Sequence, residues 1–106
     1  MAQPIINIAT DFTRYPGGRY LNDGPYSGER FRKDFLLPVL KSGQHARIKF
    51  DGARGYGSSF LEEAFGGLVR EEGFDPAKIL DTFDLESSDE SIVEEIKEYI
   101  SDAERK

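Results

Sequence analysis

The side chains able to do chemistry are few. His45 is the only histidine, and the 106-residue chain has no cysteine. A Cys–His nucleophile pair is therefore excluded, and so is a structural zinc site of the thiolate–imidazole kind. His45 stands in the turn Gly43-Gln44-His45-Ala46 without an acidic neighbour in sequence, so a turn residue is expected rather than a general base. Asp11 and Asp51 each follow a predicted strand, at the edge where parallel α/β sheets place their sites. Two carboxylates there would suit Mg²⁺. Strand-end aspartates also accept turn N–H groups, and that role is the expected one. Neither a metal nor a cofactor is expected.

The segment Gly55-Tyr56-Gly57-Ser58-Ser59-Phe60 carries more promise. It opens onto a predicted helix, whose first N–H groups and positive dipole end favour an anion. No Gly-Lys-Ser/Thr follows, so it is not a P-loop. Two uses stay open: binding a small anion or nucleotide in the Gly55–Ser59 loop, or carrying a phosphate attached to Ser58. A second cluster interleaves Phe12, Tyr15, Tyr20, Tyr26 and Phe31 with Arg14, Arg19, Arg30, Arg32 and Lys33. Aromatics among arginines bind single-stranded nucleic acid by stacking and charge, and they equally anchor protein interfaces. The net charge of −6 favours the second use, because phosphate neutralisation needs an excess of cations. Tyr15, Arg19, Tyr20 and Tyr26 are the interface candidates. The charge is uneven: residues 1–70 carry +3 and residues 71–106 carry −9, so an acidic, solvated face is expected on the second half.

The elements that must position these residues follow from periodicity. Ile5-Ile6-Asn7-Ile8 reads as a strand, followed from Asp11 to Ser27 by an irregular, Gly/Pro-rich stretch in which Arg19-Tyr20-Leu21 is a candidate short edge strand. Ser27 is a suitable N-cap for a helix from Gly28, with Phe31, Phe35, Val39 and Leu40 on one face. Pro38 should kink that helix or end its regular part. Ala46 to Asp51 alternates apolar and polar and reads as a second strand. Ser59 and Glu62 have capping-box spacing ahead of a second helix striped by Phe60, Leu61, Ala64, Phe65, Leu68 and Val69. Gly66 and Gly67 inside it cost helix propensity, which suggests close packing, with the sheet as the expected neighbour. A third strand is expected around 79–85, with Asp75-Pro76 either opening a short helical turn or leading directly into it. A last helix capped by Ser87 and Glu90 is striped by Ile92, Val93, Ile96, Ile100 and Ala103. Strand and helix alternate three times, predicting an α/β fold: a small, mostly parallel sheet packed by about three helices. Length and the lack of repeats predict one domain over 1–106 with its core in about 5–103. No apolar run is long enough to span a bilayer and no secretory signal is visible, so a cytoplasmic protein with no membrane partner is expected.

The runs Ser27-Gly28-Glu29-Arg30-Phe31-Arg32, Ile48-Lys49-Phe50-Asp51-Gly52 and Gly57-Ser58-Ser59-Phe60-Leu61-Glu62-Glu63-Ala64-Phe65-Gly66-Gly67-Leu68 resemble the STAS-like domain family of unknown function. These are small prokaryotic proteins related to the STAS domains of anti-sigma factor antagonists and sulphate transporters. By that resemblance Ser58 matches the serine that a partner ATPase-kinase phosphorylates in the antagonists, although Gly57 replaces their aspartate and Phe60 their glycine. The resemblance implies a non-enzymatic regulatory module that binds a protein, with an ATPase of histidine-kinase type as a candidate partner and Ser58 as the candidate phosphoacceptor of a switch. Docking would use the second helix, the Tyr56–Phe60 loop and the Asp11–Ser27 loop. The alternatives are a self-associating accessory domain, hence a homo-oligomer, and the small-anion binder.

Overall fold

A computed structural model of the chain describes residues 4–103. Three short strands, β1 (Ile5–Asn7), β2 (Ala46–Lys49) and β3 (Phe83–Glu86), form a parallel sheet in the order β1-β2-β3. Ile6 is in register with Ile48, and Ile48 with Leu85. Alternation puts these side chains on the face packed by helices, where Ala46, Ile48 and Phe50 are buried. The opposite face carries charge. Arg47 reaches Asp84 at 3.2 Å and Lys49 reaches Glu86 at 3.7 Å. Parallel sheets are usually covered on both faces; on this bare face the β2 and β3 positions are cross-strand ion pairs, while Ile5 of β1, in register with Arg47, is exposed.

Helix α1 spans 28–42, in α-helical turns at Gly28–Phe31 and Leu37–Ser42 around a wider, π-type stretch at Arg32–Leu36. Ser27 caps it, its Oγ accepting from the Arg30 N–H at 3.2 Å. Pro38 neither kinks it visibly into two helices nor ends it. The π-type turn, closed by the Leu37 N–H on the Arg32 carbonyl, lies just before the proline and absorbs one extra residue. That extra residue also shifts the buried face, so Leu36 is fully buried where Phe35 and Val39 are only partly so. Helix α2 spans 58–70, again with a π-type stretch, at Glu62–Gly66. Helix α3 is Pro76–Thr82, capped by the Asp75 carboxylate on the Ala77 N–H. Helix α4 is Glu90–Asp102.

Several sequence expectations need correction. Arg19-Tyr20-Leu21 is not an edge strand. A 3₁₀ turn at Leu21–Asp23 stands there, because the Asp23 carboxylate gathers the Arg19 and Tyr20 N–H groups. The third strand starts at Phe83 only, and Ile79 lies in α3. The two serine-led capping boxes do not form. Gly57 is the N-cap of α2 with no side-chain cap, leaving Ser59 already inside the helix. Asp89 rather than Ser87 caps α4, accepting from the Ser91 N–H at 3.0 Å, and Ala103 lies just past that helix.

The core joins all layers. Ile8, Phe31, Leu36, Ile48, Phe60, Leu61, Phe65, Leu68, Ile79 and Ile96 have no more than 1% exposure. Phe12, Phe31, Phe35 and Phe60 pack ring to ring at 5.2–6.3 Å, seaming α1 to α2. No helix among the described residues is long and apolar enough to cross a membrane.

Candidate functional site

β1, by way of a π-type turn at Ile8–Phe12, and β2 lead into two loops on one edge of the molecule. The loop at 13–27 folds back over the start of α1, where the Gly18 and Arg19 carbonyls accept from the Gly28 and Glu29 N–H groups at 3.0 Å. The loop at 51–57 lies beside it, joined by the Arg54 N–H on the Arg14 carbonyl at 2.8 Å. Tyr56 anchors this second loop. Its hydroxyl donates to the Phe50 carbonyl at 2.6 Å and its ring packs on Phe50 at 5.4 Å. Burial, with Asp51 nearby, raises the Tyr56 phenol well above its usual range, so it acts as a neutral donor.

Ser58 is the first residue of α2 and is exposed, as are Gly57 and Ser59. Gly55 is exposed at φ 159°, at the edge of the backbone region that side chains rarely adopt. Phe60 is 1% exposed and belongs to the core, not to a contact surface. Its ring sits 6.2 Å from Tyr56. The docking role expected of α2 itself is likewise corrected, because Phe60, Leu61, Ala64, Phe65, Leu68 and Val69 are all buried. Tyr99 of α4 packs against α2, its carbonyl 3.4 Å from where a Cβ at Gly66 would stand. The Tyr99 phenol donates to the Glu95 carboxylate, which pushes it up to about 12.

Three of the four interface candidates are displayed. Tyr15, Tyr20 and Tyr26 are 66%, 54% and 43% exposed. Leu21 joins them, and its place in the 3₁₀ turn could not be read from apolar periodicity. Arg54 lies 5.8 Å above the Tyr15 ring. Arg19 is engaged elsewhere: it pairs with Glu62 and Glu63. Asp11 and Asp51 each accept hydrogen bonds at their strand ends. Asp11 accepts from the Asn7 N–H at 2.8 Å and Asp51 from both the N–H and hydroxyl of Ser88, at 2.9 and 3.0 Å. Backbone and hydroxyl donation from Ser88 keeps the Asp51 carboxyl below its ordinary value. No grouping of three metal-ligating side chains occurs among the described residues. His45 is exposed, its Nδ1 3.0 Å from the Asp81 carbonyl.

Sequence reasoning missed the charged cluster behind this edge. Arg32 and Glu63 are 2% and 3% exposed, and Arg32 Nη1 donates to Glu63 Oε2 at 2.6 Å and to the Glu63 carbonyl at 2.7 Å. Arg32 Nε reaches Glu72 at 3.0 Å, and Arg70 bridges Glu62 and Glu63 at 2.6 and 3.2 Å. The paired glycines serve this cluster rather than the sheet. A Cβ at Gly67 would strike the Arg32 guanidinium, and one at Gly66 would meet the Glu62 carboxylate and lie 3.4 Å from the Tyr99 carbonyl. The signal was present in sequence as adjacent acids and glycines on an otherwise apolar helix.

Burial pushes the Glu62 carboxyl up, but hydrogen bonds from Arg70 and Arg19 outweigh it and leave it below the usual carboxylate value. A lowered folded-state pKa stabilises the fold above the unfolded value and is lost as pH falls through the folded one. Thermal melts should therefore show stability declining between about pH 5 and 3, with Glu62→Gln flattening that decline. An unchanged acid limb in Glu62→Gln would remove Glu62 from the account.

The sequence model of one family, described as a STAS-like domain of unknown function, matches residues 27–93. No curated protein and no solved structure matches the sequence.

Proposed function

From the premise that this chain belongs to the STAS-like domain family of unknown function, we propose that it is a non-enzymatic regulatory module that binds a protein partner and is switched by phosphorylation of Ser58. The observation that carries this reading is the position of Ser58: exposed, at the first turn of a helix whose apolar residues are all committed to the core. A kinase can reach that hydroxyl without opening the fold. A phosphate there adds about −1.5 to −2 charges at neutral pH, which the helix dipole tolerates at its N-terminus.

The partner surface is the neighbouring loop edge with Tyr15, Tyr20, Leu21 and Tyr26. Rigid exposed tyrosines make large contacts at low entropic cost. The 13–27 loop is tied down on its own by the Leu21 N–H on Glu29 at 2.9 Å and the Gly17 N–H on the Tyr26 carbonyl at 3.1 Å, so the surface is preformed. The STAS resemblance makes an ATPase of histidine-kinase type the partner to test.

Incubation with ATP and lysate of the native cells, followed by phosphopeptide mapping, tests the modification. Phosphate on the peptide containing Ser58, absent from Ser58→Ala, is the expected result. Phosphate elsewhere only, or none, contradicts it. Ser58→Glu should leave stability within about 1 kcal/mol of wild type, because an acid at a helix N-terminus is mildly favourable.

A further inference from the structure

β3 is an edge strand, and its free side opens on a groove rather than on solvent alone. The Phe50 N–H donates to the Glu86 carbonyl at 3.0 Å, so Glu86 faces β2. By the alternation of a parallel ladder, the N–H and C=O of Leu85 then face outward. Beside them runs a recess of about 410 Å³ lined by Leu80, Phe83, Leu85 and Val93 together with Asp84 and Lys97. A second recess of about 370 Å³ continues it, sharing Leu85, Val93 and Lys97. Unpaired backbone groups next to a trough lined by both apolar and charged side chains are what an added strand satisfies.

Charge and register say which strand. Asp84 and Glu86, paired across the sheet with Arg47 and Lys49, also contribute to the walls of the two recesses, and Glu90 and Glu94 line the far end of the trough, against Lys97 as the one cation in either lining. On its occupied side β3 already pairs with Ala46-Arg47-Ile48-Lys49, a strand whose apolar residues enter the core while its cations meet Asp84 and Glu86. A second copy of this chain fits badly. An antiparallel pairing of two β3 strands centred on Leu85 would set Asp84 opposite Glu86 of the other copy, and one centred on Asp84 would set that residue opposite itself. Like charges directly opposite are destabilising. We propose that the free edge of β3 accepts, as a fourth strand, an extended segment of another protein in which apolar and basic residues alternate. This surface is separate from the Ser58 edge and stands or falls without it.

The test uses a short peptide of alternating valine and lysine, with a valine–glutamate peptide as control, followed by backbone amide shifts and hydrogen exchange of the whole chain. The valine–lysine peptide should shift the Phe83–Glu86 amides and slow exchange at Leu85, and the control should not. Asp84→Lys should weaken binding by roughly tenfold, equivalent to about 1.4 kcal/mol, and Val93→Lys, which puts a charge into the trough, should weaken it similarly. Shifts elsewhere, equal response to both peptides, or no response to either would overturn the proposal. Concentration-dependent protection of Leu85 without peptide would assign the edge to a second copy and overturn it too.

Discussion

Arg32→Ala is expected to destabilise the protein by about 3–5 kcal/mol, the cost of removing one partner from a buried ion pair. Arg32 is 2% exposed and its guanidinium meets the Glu63 carboxylate, the Glu63 carbonyl and Glu72. Its loss strands Glu63, 3% exposed, in the seam between α1 and α2. Arg70 and Arg19 also reach Glu63, at 3.2 and 3.3 Å, but both approach Oε1, leaving Oε2 without its partner. A domain of this size has about 5–15 kcal/mol in total, and each kcal/mol moves the melting point by roughly 4–8 °C. A fall of at least about 12 °C is therefore expected in a thermal melt. The double variant Arg32→Met, Glu63→Leu should recover most of that loss, because apolar replacement of a whole buried pair is often neutral. A fall in Arg32→Ala of only a few degrees would mean the pair is solvated in solution.

Gly28→Ala should also destabilise the fold, for a different reason. At Gly28 an added Cβ would overlap the Phe60 carbonyl and sit 3.1 Å from both the Ala64 nitrogen and the Glu63 Cβ. These are atoms of the α2 backbone and its first side-chain carbon, which cannot swing away, so α1 would have to lift off α2. Overpacking of this kind costs about 1–3 kcal/mol or more. The neighbouring test is Gly67→Ala, where the clash is with the Arg32 side chain. Arg32 can move only by leaving its carboxylates, so Gly67→Ala should resemble Arg32→Ala, and the two should be strongly non-additive when combined. Additive losses would show that Gly67 is not there to admit the guanidinium.

Much of the fold was legible in the residues. The alternation in Ala46–Lys49 and the apolar stripe of α2 gave a strand and a buried helix, since burial on one face leaves a period in sequence. What failed did so locally. The Arg19–Leu21 stretch follows side-chain-to-backbone bonds from Asp23, which carry no periodicity. The capping serines lost to Gly57 and Asp89, because a one-residue change of helix start exchanges one capping group for another. The face of α1 was displaced by the π-type turn before Pro38. At the candidate site, Ser58, Tyr15, Tyr20 and Tyr26 are on the surface where their types suggested use. Phe60 is buried and Arg19, though part-exposed, is spent on ion pairs, since a residue type alone does not tell a free cation from one neutralised by acids 43 and 44 positions away. The Arg32–Glu63 pair was hidden for the same reason.

The most direct measurement of the central claim is quantitative capture of the proposed partner, an ATPase of histidine-kinase type, by wild type, Ser58→Ala and Ser58→Glu, with circular dichroism confirming that all three are folded. Capture by wild type and Ser58→Ala but not by Ser58→Glu is the predicted result. Equal capture by all three would contradict a switch at Ser58, and failure of every form to hold a protein would contradict the binding module itself.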